Sequence, residues 1–256
     1  MDEMNHHQFV FLCGLHRSGT SPLFRILRDH PQISGFRNTG VPEDEGQHLQ
    51  SVFPPAHKYG GPGRFGFNPE ARLTEDSPIL SLENQRKLFQ EWSSHWDLTR
   101  PYLLEKSPPN LIRTRFLQAA FPSSYFVVIT RHPVAVSLAT VKWTNSTLES
   151  LIEHWLRCHE LFELDRPRLR RVIVIKYETL IDSKDVDEIF NFLGLSPRPI
   201  EALDRSGNEK YFASWRRLLI DKDGRKIAQS IIAKYEKHLQ RHGYSFDDTE
   251  LAGSRN

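Results

Sequence analysis

Five consecutive apolar residues, Phe9-Val10-Phe11-Leu12-Cys13, stop at Gly14, and a second glycine, Gly19, stands just before a run with helical spacing. The first run is apolar at every position, so it reads as a strand buried on both faces. A strand covered on both faces belongs to a parallel sheet with helices above and below it. The residues after Gly19 agree with this. Leu23, Phe24, Ile26 and Leu27 make an apolar stripe over 21–28, Pro22 sits where a first helical turn tolerates it, and Pro31 ends the run.

The same alternation recurs along the chain. Apolar runs at 102–105, 125–130 and 172–175 predict further strands, and helices are expected over 79–96, 111–120, 133–141, 148–164, 185–193 and 223–241. This predicts a three-layer α/β fold with a central, mainly parallel sheet flanked by helices. With 256 residues the chain can bury one sizeable core, so residues 1–256 are read as a single domain. The stretch from about 35 to 78 breaks the pattern. It is dense in Gly and Pro, yet Phe53, Tyr59, Phe65 and Phe67 give it material to pack, so it is read as an ordered excursion beside the site. Trp143, Trp155 and Trp215 read as core.

A net charge of +2 gives no argument for nucleic acid, so any anion site must be local. The 2 cysteines, Cys13 and Cys158, form no disulfide framework, and neither they nor the scattered histidines show metal-ligand spacing. No stretch is apolar for long enough to span a bilayer, and a cytoplasmic protein is the simplest expectation.

In parallel α/β sheets, ligands bind beyond the carboxyl ends of the strands. The segments after Cys13, Glu105, Thr130 and Lys176 are therefore expected to converge. Gly14-Leu15-His16-Arg17-Ser18-Gly19-Thr20 keeps the Gly-x-x-x-x-Gly spacing of a phosphate loop, with hydroxyls at Ser18, Thr20 and Ser21 and a helix N-terminus behind it. The lysine that follows the second glycine in nucleotide triphosphatases is missing, and a cation appears earlier, at Arg17. This suits an anion less charged than a magnesium-bound triphosphate.

Strand-Gly-Leu-His-Arg-Ser-Gly-Thr-Ser resembles the 5′-phosphosulfate loop of sulfotransferases, enzymes that use 3′-phosphoadenosine 5′-phosphosulfate (PAPS) and have a P-loop-like fold. Three further segments resemble that family in the same order: Glu105-Lys106-Ser107-Pro108, Arg131-His132-Pro133, and Lys176-Tyr177-Glu178-Thr179-Leu180 followed by Phe192-Leu193-Gly194-Leu195. The resemblance implies sulfonate transfer from PAPS to an acceptor hydroxyl, on a carbohydrate or glycosylated metabolite, leaving the 3′,5′-bisphosphate PAP and using no metal. It implies donor contacts from Gly14, Arg17, Ser18, Gly19, Thr20 and Ser21, a 3′-phosphate contact from Arg131, and Tyr177 near the adenine. Arg17 and Lys106 would be the cations around the moving group. The chain departs from the family in two places. His132 stands where Asp or Asn is usual, and Ala139 holds the place of the 3′-phosphate serine, leaving Ser137 or Thr140 as its substitute.

Transfer also needs a base. Direct counting from the loop lands on Asn38, and the nearest carboxylates follow it; Glu43 and Glu45 are the candidates, with His48 as an alternative. Arg64 and Lys58, around Gly60–Gly63, are placed beside the acceptor. Trp215-Arg216-Arg217 is read as a basic segment closing over the 3′-phosphate. Two other functions fit the loop alone: a P-loop small-molecule kinase, and a non-catalytic nucleotide-binding protein on the same fold.

Overall fold

The computed structural model describes residues 4, 6–180, 183–199 and 207–251, so the ends of the expected 1–256 domain lie outside the described residues. Five strands form one sheet: β1 (Gln8–Cys13), β2 (Ile33–Gly35), β3 (Tyr102–Lys106), β4 (Ser124–Thr130) and β5 (Val172–Lys176). All pairings are parallel, and the order is β2-β3-β1-β4-β5. The first apolar run lies at the centre, with Val10, Phe11, Leu12 and Cys13 wholly buried, as a strand covered on both faces must be. In register, Leu12 pairs with Lys106, Cys13 with Val128, and Thr130 with Lys176, so the carboxyl ends lie close together.

Nine α-helices are described: α1 (Thr20–Arg28), α2 (Leu82–Ser93), α3 (Thr114–Ala120), α4 (Pro133–Thr140), α5 (Leu148–Asp165), α6 (Ser183–Phe192), α7 (Glu209–Ile220), α8 (Lys222–Arg241) and α9 (Asp248–Leu251). Among the described residues no helix is long and apolar enough to cross a membrane.

Several elements differ from the sequence reading. β2 has only three residues at the sheet edge, too short for a periodicity to show. The helix expected over 79–96 is α2, which starts late because Ser81 caps it, its side chain accepting from Asn84 N. The helix expected over 111–120 is a 3-10 turn, Pro108–Ile112, then α3, with non-helical backbone at Arg113 between them. Arg113 is buried and donates to Ala71 O at 2.9 Å and Pro54 O at 3.1 Å. Those bonds fix the 35–78 excursion from beneath. The excursion is a chain of 3-10 turns whose Phe53, Ala56, Phe65 and Ala71 are buried in the core.

Trp155 and Trp215 are core residues, but Trp143 is 57% exposed. The segment around Trp215 is α7, not a loop. Trp215 stacks on Phe246, Arg216 pairs with Glu209 and donates to Thr249 O, and Arg217 donates within its own helix. A helix fixed in this way does not supply the closing basic loop expected there.

Candidate active site

The loop after β1 is shaped by its glycines and by the helix that follows. Gly14 is buried at its foot, and Gly19 has φ of 96°, a left-handed value that disfavours side chains. A Cβ on Gly19 would also run into the ring of Tyr177. No side chain caps α1 and no acidic residue stands in its first turn, which leaves an N-terminus suited to an anion. Ser18 is wholly buried, and its Oγ has no hydrogen-bond partner. Arg17 is exposed, with its guanidinium 4.7 Å from the centre of the Trp143 ring.

After β3, Lys106 is buried, and its Nζ donates to Glu43 O at 3.0 Å and Glu45 Oε1 at 3.2 Å. Gln47 Nε2 donates to the other oxygen of Glu45 at 2.5 Å. Burial raises the Glu45 pKa above the usual carboxylate range, while Lys106 and Gln47 pull it back. Glu105, one residue before Lys106, anchors the turn that carries these acids. It accepts from Gly46 N at 3.0 Å, Ser107 Oγ at 2.5 Å and Asn110 Nδ2. Desolvation pushes its pKa up to about 7. A Cβ on Gly46 would lie 2.5 Å from Glu105 Oε1, so the turn can approach only as glycine.

After β4, Arg131 is almost fully buried. Its guanidinium donates to Arg17 O at 2.7 Å, Gly207 O at 2.6 Å and Asn208 Oδ1 at 2.7 Å, and lies 4.1 Å over the Tyr177 ring. Burial lowers its pKa. It thus joins the loop after β1 to the segment entering α7. Tyr177, from the turn after β5, fills the space between Gly19 and Gly207.

These residues surround a cleft of roughly 310 Å³, at the lower end of small-molecule sites. Of the sequence candidates, Arg17, Gly19, Thr20, Ser21, Glu43, Glu45, Arg131 and Tyr177 line it. Gly14 and Ser18 are buried and are not among its lining residues. Lys106 lies behind Glu45, and His48 stands 3.9 Å from Glu45 with its pKa lowered by burial. Ser137 is not brought to the cleft; it is buried on α4 and lines a separate cavity behind the loop. Thr140 lines that cavity too and donates to Val136 O at 2.7 Å. Lys58, on a 3-10 turn, and Arg64, just before the next one, are exposed and are not among the residues lining the cleft.

The cleft is also lined by residues that were not among the sequence candidates for the site: His16, Pro22, Arg25, Pro108 and Trp143. His16 and Arg25 lie within or just after the loop, so their position was a readable signal. Trp143 gave none, because an aromatic after a helix usually packs inward.

The model of the sulfotransferase family matches residues 9–199. The chain belongs to the sulfotransferase family. Among solved structures, a sulfotransferase from Mycobacterium avium is 15% identical, over 92% of this chain and 78% of that one, with a TM-score of 0.51. One from Alicyclobacillus acidocaldarius is 19% identical, over 82% and 92%, with a TM-score of 0.47. One from Mycobacterium tuberculosis is 16% identical, over 83% and 73%, with a TM-score of 0.46. No curated protein matches the sequence. Membership makes this a sulfotransferase-family enzyme with the sulfotransferase fold, and it speaks against the kinase reading.

Proposed function

We propose that this enzyme moves a sulfonate group from PAPS to an acceptor hydroxyl in the cleft between the Gly14–Thr20 loop and Glu45, with residues 1–256 acting as one catalytic domain. The observation that carries this reading is one cavity lined by both an uncapped anion loop and a buried carboxylate paired with a buried lysine. The residues fit the donor. The unpartnered Ser18 hydroxyl, Thr20 and the α1 N-terminus suit the 5′-phosphate. Arg131, stacked on Tyr177, suits the 3′-phosphate, with Tyr177 beside the adenine. When bound, PAPS supplies a sulfonate already joined to a phosphate leaving group.

The chain's own residues do the rest. Arg17 stabilises charge building on the leaving phosphate. Glu45 takes the proton of the acceptor hydroxyl, and Lys106 and Gln47 hold its carboxylate in place. Glu43 is exposed and accepts a hydrogen bond from Ser21 Oγ at 2.8 Å, which suits a role in fixing the loop. The acceptor is placed among hydroxyl compounds, with carbohydrates and glycosylated metabolites first.

The test is transfer of label from PAPS carrying ³⁵S to a panel of glycosides, sterols and phenols, with water as the background acceptor. Adenosine 3′,5′-bisphosphate is expected to raise the melting temperature, and at least one hydroxyl class is expected to take up label. Stabilisation by ATP–magnesium in place of the bisphosphate would defeat the proposal.

A further inference from the structure

Each of the buried histidines His7, His30, His132, His154 and His159 bonds at least one named protein atom. His7 bonds Arg100 O, and His30 accepts from Gln32 N. His154 accepts from Gly66 N, and His159 bonds Trp155 O. His132 accepts from Val134 N and bonds Ser245 O. Among the described residues His16 bonds no protein atom through either ring nitrogen, although His159 Nε2 is likewise buried without a partner. His16 lies between Leu15 and Arg17 in the donor loop and lines the cleft, and its Nδ1 is sealed from solvent with no partner. Among the described residues Nε2 has no protein partner and is not sealed from solvent, and the ring lines the cleft.

His16 also lines the second cavity, of about 10 Å³, together with Ser137 and Thr140. Ser137 Oγ is also buried and unpartnered. Orphaned buried polar atoms are rare because each one forfeits its hydration. That space is at the lower limit for one water, and a water held by Ser137 Oγ that donated to Nδ1 would put the ring proton on Nε2.

We propose that His16 is a catalytic residue, a neutral donor that presents Nε2–H to the oxygens of the moving sulfonate, with Ser137 as its positioning residue. This rests on the cleft being the site of transfer. In that step the acceptor oxygen bonds to sulfur while its proton passes to a carboxylate oxygen of Glu45. The bond between sulfur and the 5′-phosphate oxygen breaks, and its electron pair stays on that oxygen. His16 neither gains nor loses a proton. A preorganised donor at such a point acts on charge as it shifts. Neutrality is built into the ring, since burial first, then Lys106 and His48, push its pKa down to about 3. A neutral imidazole serves as such a donor in other enzymes.

The test compares His16→Ala, His16→Asn and His16→Gln, using ³⁵S-PAPS with 4-nitrophenol as the acceptor probe. A Gln amide N–H reaches the region of Nε2, whereas an Asn amide falls near Nδ1. The Ala and Asn variants are expected to lose roughly 100-fold or more in kcat, as when one oxyanion donor is removed. Bisphosphate affinity is expected to stay within about threefold, and the Gln variant to recover much of the loss. A second readout needs no turnover: the ¹⁵N-imidazole signal of His16 is expected to shift with PAPS and not with the bisphosphate. Equal kcat in all three variants and wild type, or identical spectra with the two nucleotides, would overturn the proposal. Failure of the bisphosphate to bind wild type would instead defeat the reading of the cleft itself, and this inference with it.

Discussion

Glu43 and Glu45 stand two positions apart in the same stretch, and their surroundings give them different chemistry. Glu43 is exposed and accepts from Ser21, whereas Glu45 is buried between Lys106 and Gln47. The sequence placed both as base candidates because spacing cannot report burial. The structure separates them by desolvation, which raises the pKa of Glu45. Glu45→Gln is expected to lower kcat by about 10²- to 10⁴-fold, the usual contribution of a positioned base, with bisphosphate binding intact. Glu43→Gln is expected to leave kcat within about tenfold. If steady-state assays give the opposite ranking, Glu45 is not the base. The base works deprotonated, so kcat/KM falls as pH drops through the raised pKa of Glu45, above the range of an ordinary glutamate.

At the scale of elements, α4 shows how a departure from the family pattern is absorbed. His132 replaces the usual Asp or Asn at the N-cap, and its Nδ1 accepts from Val134 N at 3.2 Å, the bond a carboxylate or amide oxygen would accept. Its Nε2 then donates to Ser245 O at 2.9 Å, and its backbone N donates to Glu178 Oε1 at 2.9 Å. One ring therefore caps a helix and ties down the segment between α8 and α9. His132→Asn keeps the cap and loses the tie; His132→Ala loses both. Urea unfolding is expected to show about 2 kcal/mol of destabilisation for Ala and roughly half that for Asn. Equal stability of Ala and wild type would mean the ring does neither. The substitution was visible in the sequence, but its compensation was not, because Ser245 lies 113 positions away. α7 was missed for a related reason: its buried face is only Tyr211, Phe212 and Trp215, amid charged neighbours.

At the scale of the whole molecule, buried titratable groups set the pH range of the fold. His16, His154 and His159 are each pushed down to about 3, mainly by burial, from an ordinary value of 6.5. Between about pH 3 and 6.5 the unfolded chain binds these three protons and the folded one does not, so stability is lost as pH falls through this range. Glu105 works in the other direction. Its pKa rises from 4.5 to about 7, so its contribution is present at low pH and is lost as pH rises through 7. From pH 4.5 to 6.5 these three histidines favour the unfolded state and Glu105 the folded state; His30, His48, His132 and His242, also lowered by burial, act with the histidines, and Glu45, raised by burial, acts with Glu105. The melting temperature is therefore expected to fall steadily from pH 6.5 to 4.5, with net proton uptake on unfolding in calorimetry. A flat profile over that window would show that these histidines are not held neutral.

The sequence by itself determined the strand–loop–helix unit, the parallel sheet and the family. Those depend on local patterns: a fully apolar run, two glycines at fixed spacing, and short motifs at strand ends. It also placed Arg17, Arg131 and Tyr177 at one edge, since parallel strands deliver their carboxyl ends there. Only the tertiary structure decided which groups share the cleft and which stand behind it. It put Lys106 behind Glu45, turned Ser137 into a separate cavity, exposed Trp143 and brought His16 to the opening. The physical reason is that burial and pairing arise from contacts between distant segments, such as Gly46 against Glu105 and Tyr177 against Gly19, which no local pattern records.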